Sequence, residues 1–287
     1  MSIDLTPPPT ASAPTGAQPP QPQPPRPSAQ IVAIIAMCLG GVLLLGALVS
    51  GIGSIAYAAS VRGTGGGTAD TSGVDALSLD VSAGHVVVQY ADVDQAILEV
   101  AGGDGNWRLE RRDATLSLTN DRPWWAFQVG FGWDDNRATL TLPAAMAEQR
   151  LDADFDVSAG SLTADGTYGR LELHVGAGDA DVSGTADDVR VDVSAGEADV
   201  RVDGAARANL TIGAGQIIAD LTGSALDEIR ADVSAGTLVA TVPNEPYDVT
   251  SEVSAGSFDN QLDTSDGATR TVDMQVSAGS ATFRPAD

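Results

Sequence analysis

The sequence predicts an all-β domain built as a parallel β-solenoid, and three observations lead to this prediction. A ten-residue phrase like "VDVSAGEADV" (Val191–Val200) occurs eight times. Its glycine recurs about every 20 residues over the last seven copies, which is typical of stacked repeats. Apolar and polar residues alternate around the glycine, as in strands with one buried face. The eight motif glycines are Gly84, Gly160, Gly178, Gly196, Gly215, Gly236, Gly256 and Gly279.

Each copy of the phrase is expected to form two strands joined by a tight corner. Val191 and Val193 alternate with Asp192 and Ser194 before the glycine, and alternation resumes after it with opposite parity. Glycine at the corner permits backbone angles that other residues avoid. Equivalent strands of successive copies are expected to pair in parallel, about 4.8 Å apart. An antiparallel sandwich or barrel made of the same strands is the alternative.

The folded domain is expected to span residues 74–287. Residues 74–150 form an irregular part that still contains strand-like segments, interpreted as a larger first layer or cap. Residues 151–287 form the regular repeats. Two dipeptides in the irregular part are typical of hairpin turns. They are Asp104-Gly105 and Arg112-Asp113.

The repeats at the C-terminal end deviate from the pattern. We call the two strands and the corner of one copy a rung. Ser251 and Asn260 stand at positions that are apolar in other copies, which indicates that their rung is distorted. Phe283 is expected to close the last rung, and Pro285 to protect its open edge.

An aromatic segment, "PWWAFQVGFGW" (Pro123–Trp133), interrupts the irregular part. One interpretation is a strand that packs an aromatic face on the end of the solenoid. The other is an exposed loop that binds a carbohydrate, a partner protein or the membrane interface. The candidate ligand or partner surface comprises Trp124, Trp125, Phe127, Phe131 and Trp133.

Three segments precede the domain. Residues 1–30 are rich in Pro and Gln and are predicted to be a disordered tail. Residues 31–59 carry no charge and are long enough for one transmembrane helix. A signal peptide cleaved after Ala56-Tyr57-Ala58 is the alternative. Residues 60–73 are a Gly-rich linker. We expect a single-pass cell-membrane protein with a cytoplasmic N-terminus and an extracellular C-terminal domain.

Charge and composition argue against several classes of function. The net charge is −24 and all 15 basic residues are Arg, which disfavours nucleic acid and anionic lipid as partners. The single cysteine, Cys38, provides neither a disulfide framework nor a Cys-based metal site. His85 and His174 are expected on the surface. No catalytic motif, cofactor site or metal site is predicted.

One acidic cluster suggests a different chemistry. Asp181 and Asp199 are expected to stack one rung apart, with Asp179 and Glu197 on the same strands. Adjacent carboxylates attract a Ca²⁺ ion, although flat strands rarely supply its six to eight oxygen ligands. The alternative is a solvated acidic face. The repeats contain few arginines to accompany these acids in a lyase-like site.

Several segments together resemble the bacterial putative-adhesin family, a β-strand repeat domain of unknown function in envelope proteins. They are the "DVSAG" phrases, "NWRLERRDATLSL", "VPNEPYDVTSEVSAG" and "MQVSAGSATFRP". The resemblance covers residues 74–285 and implies a surface-exposed, solenoid-like domain.

We therefore expect a non-enzymatic, membrane-anchored protein of the cell surface that acts as an adhesin-like binding module or envelope scaffold. Cell-wall glycan and envelope proteins are the expected partners, and the oligomeric state is left open. The alternatives are an accessory protein of envelope stress or signalling, and a carbohydrate-active β-helix enzyme.

Overall fold

The computed structural model describes residues 66–102, 107–120 and 136–286. The chain divides into two units after Ala59, and the described residues all lie in the second unit. They form one sheet of 19 strands, which confirms the predicted all-β class. The first seven strands are β1 (Gly67–Ala69), β2 (Ala76–Val81), β3 (His85–Ala91), β4 (Ala96–Ala101), β5 (Trp107–Arg112), β6 (Thr115–Asn120) and β7 (Arg137–Pro143). The other strands are β8 (Leu151–Val157), β9 (Ser161–Val175), β10 (Asp179–Val193), β11 (Glu197–Asp203), β12 (Arg207–Ile212), β13 (Gln216–Thr222), β14 (Glu228–Val233), β15 (Thr237–Val242), β16 (Asp248–Val253), β17 (Ser257–Asn260), β18 (Thr271–Val276) and β19 (Ser280–Pro285).

The repeats pair in parallel and form two ladders, one on each side of the glycine corners. The first ladder contains the strands that lead into a corner, in the order β6-β2-β8-β9-β10-β12-β14-β18-β16. The second ladder contains the strands that leave a corner, in the order β7-β3-β9-β10-β11-β13-β15-β19-β17. The long strands β9 and β10 run from one corner to the next and belong to both ladders. Parallel pairing of the repeats is confirmed, and the antiparallel alternative is wrong for them.

The motif glycines stack on one another at the corners. At seven of the eight corners, the N–H that follows the glycine donates to the glycine carbonyl of the neighbouring corner, as from Glu197 to Gly178 at 3.0 Å. A Cβ on Gly196 would overlap that carbonyl oxygen, and the other stacked glycines are equally close to their neighbours. Among the eight, only Gly84 has a φ in the left-handed region, at 110°. The expected role in unusual backbone angles is therefore wrong for the other seven, where the close approach of two backbones excludes a side chain.

The inward positions of both ladders form an aliphatic core. The position immediately before the corner is valine or isoleucine in seven rungs, each side chain at most 2% exposed. Burial of one such side chain contributes about 1.5–3 kcal/mol, so the stacked columns are the main source of stability. The column consists of Val81, Val157, Val175, Val193, Ile212, Val233 and Val276.

The last two repeats are stacked in the reverse of their order in the sequence. β18 and β19, from the final repeat, pair with β14 and β15 on one side and with β16 and β17 on the other. The repeat of Gly256 is therefore the end of the stack, and Val253, at an inward position of this end rung, is 41% exposed. Ser251 and Asn260 are tolerated at inward positions because no further rung within residues 66–102, 107–120 and 136–286 covers them.

Phe283 lies inside the stack instead of closing it. Its side chain is fully buried, and the ring of Phe258 packs edge-on against it with a centroid distance of 5.8 Å. The expectation that Phe283 closes the last rung is therefore wrong. Its rung sits between two others because the final repeat inserts beside β14 and β15.

Strands of the irregular N-terminal part lie at the opposite end of the stack. β6 pairs with β2 and β7 with β3, outside the rung of Gly84. β5 and β6 form the hairpin predicted at Arg112-Asp113, where Asp113 has a φ of 54°. The turn predicted at Asp104-Gly105 lies outside the described residues. β1, within the predicted linker, pairs with β4, and Arg111 Nη1 lies 2.6 Å from Asp70 Oδ2.

The described residues contain one short helical turn, the 3₁₀ helix Ala144–Met146. No helix within these residues is long and apolar enough to cross a membrane. The predicted tail (1–30) and the predicted transmembrane segment (31–59) lie outside the described residues, so both stay predictions.

Candidate functional site

The predicted aromatic surface lies within residues 121–135, outside the part of the chain that the structure describes. This applies to Trp124, Trp125, Phe127, Phe131 and Trp133. Their role as a ligand surface stays a prediction.

The residues that flank this segment are described, and both flanks are held at the corner of Gly84. Asn120 takes the register position of Val81, and its Nδ2 donates to the carbonyl oxygen of Ala83 at 2.7 Å. Asn136 accepts from the His85 N–H at 2.9 Å through its carbonyl oxygen. Its side-chain oxygen accepts from the indole N–H of the buried Trp107 at 2.8 Å. In the sequence, 16 residues (121–136) separate β6 from β7, whereas three residues (82–84) separate β2 from β3.

The predicted acidic pair is stacked as expected, and an arginine bridges it. Asp181 is in register with Asp199, and Asp179 with Glu197. Arg201 Nη2 lies 2.7 Å from Asp181 Oδ1, and its Nη1 lies 2.7 Å from Asp199 Oδ1. Burial raises the pKa of Asp199; Arg201 opposes this rise, and the Asp181 carboxylate adds to it. The Arg201 guanidinium thus offsets part of the negative charge of the pair, and no cluster of three metal-ligating side chains occurs among the described residues.

Both histidines lie at the surface, as predicted. The ring Nδ1 of His85 is 2.6 Å from Ser161 Oγ, and the ring Nε2 of His174 is 3.2 Å from Glu172 Oε1. Each ring thus contacts a neighbouring polar side chain on the outer face of its ladder.

A row of four arginines follows the outer face of the first ladder. One arginine comes from each of the four successive strands β9, β10, β12 and β14. Arg170 and Arg207 stand eight positions before the corner glycine of their rung, and Arg190 and Arg230 stand six positions before it. The row therefore crosses the face from side to side, with about 4.8 Å between successive strands. We call it the arginine zigzag: Arg170, Arg190, Arg207 and Arg230.

The alternate positions of the same four strands carry the complementary charges. Three of them hold acids, so that the face is a checkerboard in which carboxylates and guanidinium groups lie in register. Asp188, for example, pairs in register with Arg170 on one side and with Arg207 on the other. The three acids are Glu172, Asp188 and Glu228, and the fourth position holds the neutral Asn209.

Asn209 therefore stands where the pattern would place a carboxylate. It lies on β12, in register between Arg190 on β10 and Arg230 on β14. Arg207 is two residues before it on the same face of the same strand, a separation of about 6–7 Å. Three arginine positions thus adjoin one uncharged position.

The best-formed ion pair of the checkerboard joins Arg207 to Asp188. Arg207 donates from Nε to Asp188 Oδ1 at 2.5 Å and from Nη2 to Oδ2 at 2.9 Å. These hydrogen bonds hold the pKa of Asp188 below its usual value, against a smaller opposing effect of burial. The paired geometry is the bidentate one that a planar guanidinium makes with a carboxylate.

The other two ion pairs of the checkerboard each have one nitrogen–oxygen contact. Arg230 Nη2 lies 2.5 Å from Glu228 Oε1, and Arg190 Nε lies 3.5 Å from Glu172 Oε1. A guanidinium has five N–H donors, so both arginines have N–H groups that these contacts do not use.

These side chains line an open groove of about 360 Å³. Four guanidinium groups face three carboxylates in it, so the groove carries a net charge of +1 in a chain whose net charge is −24. The side chains of Arg190, Arg207 and Arg230 are 53%, 63% and 61% exposed, so their donors are accessible to a ligand. The groove offers donors for an anion beside acceptors for hydroxyl groups.

Sequence reasoning missed this groove because it judged the repeats to be poor in arginine as a whole. The signal was nevertheless present. Aligning the repeats on their corner glycines shows an arginine in four successive repeats, those of Gly178, Gly196, Gly215 and Gly236, alternately eight and six positions before the glycine. Parallel in-register pairing then converts this alternation into one continuous surface.

No family model and no curated protein matches the sequence. Among solved structures, the chain is similar to one described as a "putative adhesin" from Bacteroides fragilis, with 15% identity and a TM-score of 0.47, over 78% of this chain and 98% of that one. A "putative adhesin" from Parabacteroides distasonis has 14% identity and a TM-score of 0.44, over 76% of this chain and 96% of that one. A "putative cell adhesion protein" from Clostridium sporogenes has 9% identity and a TM-score of 0.35, over 77% and 98%.

These descriptions agree with the resemblance that the sequence motifs indicate. At identities of 15% or less, they assign no functional residue to this chain.

Proposed function

We propose that this chain is a non-enzymatic, adhesin-like binding protein. In this proposal, a β-solenoid domain is displayed outside the cell on a single-pass membrane anchor. The anchor is the segment 31–59, and residues 1–30 face the cytoplasm. The partners are a cell-wall glycan or an envelope protein.

The corner stacking supports the solenoid part of the proposal. Repeats that are neighbours in the stack pair in register in both ladders, and their glycines form one column. Continuous parallel pairing of this kind arises when a chain winds in successive coils, and solenoids of this kind present extended surfaces to partners.

The observation that carries the binding role is the charged checkerboard on the outer face of the first ladder. Its side chains are held by strands paired on both sides, and their acids and arginines neutralise one another in fixed register. Charges that are arranged along a rigid open surface suit recognition of an extended partner. The uncharged span 31–59 supports the membrane anchor.

Adhesion of cells that produce the full-length chain tests the proposal. Such cells should be retained on immobilised cell-wall glycan more strongly than cells that produce only residues 1–73. Protease added to intact cells should remove an epitope at the C-terminus and leave one at the N-terminus. Equal retention of the two kinds of cell would contradict the binding role, and a protected C-terminal epitope would contradict the topology.

A further inference from the structure

We propose that the neutral position of the checkerboard, Asn209, is the centre of a binding site for the carboxylate of an acidic sugar. This inference deepens the proposed function, on which it rests for the ligand's origin at the cell surface. The geometry of the site itself is independent of that function.

The first step is the missing charge. In the column that contains Asn209, the register order is Glu172, Arg190, Asn209, Arg230. An acid at position 209 would continue the alternation between the two arginines. Because asparagine is neutral there, an external carboxylate can take the place that the pattern leaves without charge.

The second step is the number of donors. Arg190 and Arg230 lie on the two neighbouring strands, and Arg207 lies two residues away on the strand of Asn209 itself. Each guanidinium is more than half exposed, so a single ion pair with it is weak. Three arginines at positions adjacent to one carboxylate can supply charge-assisted hydrogen bonds together through the N–H groups that their ion pairs leave unused, which a single surface arginine does not.

The third step is the size and charge of the ligand. The chain carries a net charge of −24, so a densely charged polyanion is repelled by the rest of the molecule. The net charge of the groove is only +1, which suits one isolated carboxylate on an otherwise neutral ligand.

The fourth step selects a sugar. The carboxylates of Glu172, Asp188 and Glu228 line the same groove and accept hydrogen bonds. A hydroxyl group both donates and accepts, so a hydroxyl-rich ring matches alternating acids and arginines. A hexuronate combines one carboxylate with several hydroxyl groups, and the groove of about 360 Å³ has room for such a ring.

Ligand-observed NMR on the full-length chain in detergent micelles tests this proposal, with D-galacturonate and D-glucuronate as probes. D-galactose, D-glucose and acetate are the comparison ligands. We expect saturation transfer to at least one uronate, and at least tenfold weaker binding of the neutral sugars and of acetate. Equal binding of a uronate and its neutral sugar would overturn the role of the carboxylate. Equal binding of acetate would overturn the assignment to a sugar.

Two variants that each add one carboxylate localise the site. Asn209→Asp completes the checkerboard and should reduce uronate affinity at least tenfold, while its melting temperature stays equal to or above that of the wild type. Thr237→Asp adds the same charge on the exposed face of the second ladder, between the neutral Gln216 and Ser280, and should leave the affinity unchanged. Wild-type affinity in Asn209→Asp would overturn the proposal.

Cell adhesion, measured with the same variants, separates this inference from the proposed function. If the wild type binds uronate, Asn209→Asp abolishes this binding and the cells are nevertheless not retained on glycan, only the adhesin role is contradicted. Retention of cells without uronate binding by the wild type would contradict only the site at Asn209.

Discussion

Arg207 and Asp188 face each other on neighbouring strands of the first ladder and are joined by two hydrogen bonds, of 2.5 and 2.9 Å. Their sequence separation is 19 residues, one repeat, so the contact exists only because the repeats pair in register. The same relationship, repeated along four strands, builds the candidate binding groove.

This pair predicts a pH-dependent contribution to stability. The pKa of Asp188 is lowered in the folded chain by the hydrogen bonds from Arg207. The pair therefore stabilises the fold above the unfolded-state pKa of about 3.9, and this contribution is lost as the pH falls through the lower folded-state pKa. Arg207→Gln should raise the pKa of Asp188 towards its ordinary value, as measured by NMR titration of the carboxyl carbon. Because the pair is at the surface, where solvent screens it, the loss of stability near neutral pH should be small.

Arg284→Gln is the control for this measurement, because Arg284 lies on β19 in the second ladder, in register with Thr241. It should leave the titration of Asp188 unchanged. A titration that stays the same in Arg207→Gln would show that Arg207 does not control this carboxyl.

The stacked corners predict that a single methyl group at a motif glycine is destabilising. A Cβ at position 196 would overlap the Gly178 carbonyl oxygen and lie 2.7 Å from Val175 Cγ1. Gly196→Ala should therefore lower the free energy of unfolding by about 1–3 kcal/mol, as measured by thermal or denaturant unfolding. The control is Gly67→Ala, where the nearest atom to the new Cβ is 3.9 Å away and the change should be within about 0.5 kcal/mol. Equal stability of the two variants would contradict the close approach of the corners.

The reversed order of the last two repeats predicts which of two phenylalanines contributes more to the stability of the fold. Phe283 lies inside the stack and is fully buried, so Phe283→Ala should cost about 3–5 kcal/mol. Phe258 lies on the outermost rung and is only half-buried, so Phe258→Ala should cost about 1–2 kcal/mol. Denaturant unfolding of both variants compares the two. A larger cost for Phe258→Ala would favour stacking of the repeats in sequence order.

The end rung predicts that the stack is protected against association by its polar and charged residues. Among the described strands, β16 pairs with β18 alone on its ladder, and Ser251, Glu252 and Asp259 are exposed on this end rung. Unpaired strand edges with apolar residues associate readily, and charges prevent this. The triple variant Ser251→Val, Glu252→Thr, Asp259→Thr should increase the protein mass measured by light scattering in detergent.

Removal of carboxylates alone should not cause association. The double variant Asp232→Thr, Asp273→Thr removes the same number of acids from β14 and β18, which are paired on both sides. It should keep the mass of the wild type. The same mass increase in both variants would attribute association to charge alone and not to the end rung.

Much of the fold was predictable because local alternation and a constant period carry it. Val191 and Val193 alternate with polar residues, and this parity correctly predicted which side chains are buried. The order of the last repeats was not predictable, because the copies of Gly256 and Gly279 have equally strong motifs. The polar residues Ser251 and Asn260 were a signal of an end rung, but sequence order suggested that the end lay at Phe283.

The candidate groove was predictable only in part. The sequence contains the four arginines and their spacing from the corner glycines, but an Arg at position 170 and one at position 190 become neighbours only through strand pairing. The stacking of Asp181 and Asp199 was predicted correctly. The bridging Arg201 was not predicted, since its side chain joins Asp199 on its own strand to Asp181 on the neighbouring strand.

The amino-acid sequence by itself determined the strands, the corners, the buried parity and the parallel pairing of the repeats, because these follow from local periodicity and from glycine's lack of a side chain. Tertiary structure decided which repeat ends the stack, why seven of the corner glycines are required, and which charges meet on the outer face. Those features depend on contacts between residues a full repeat or more apart, and such contacts exist only after the ladders have formed.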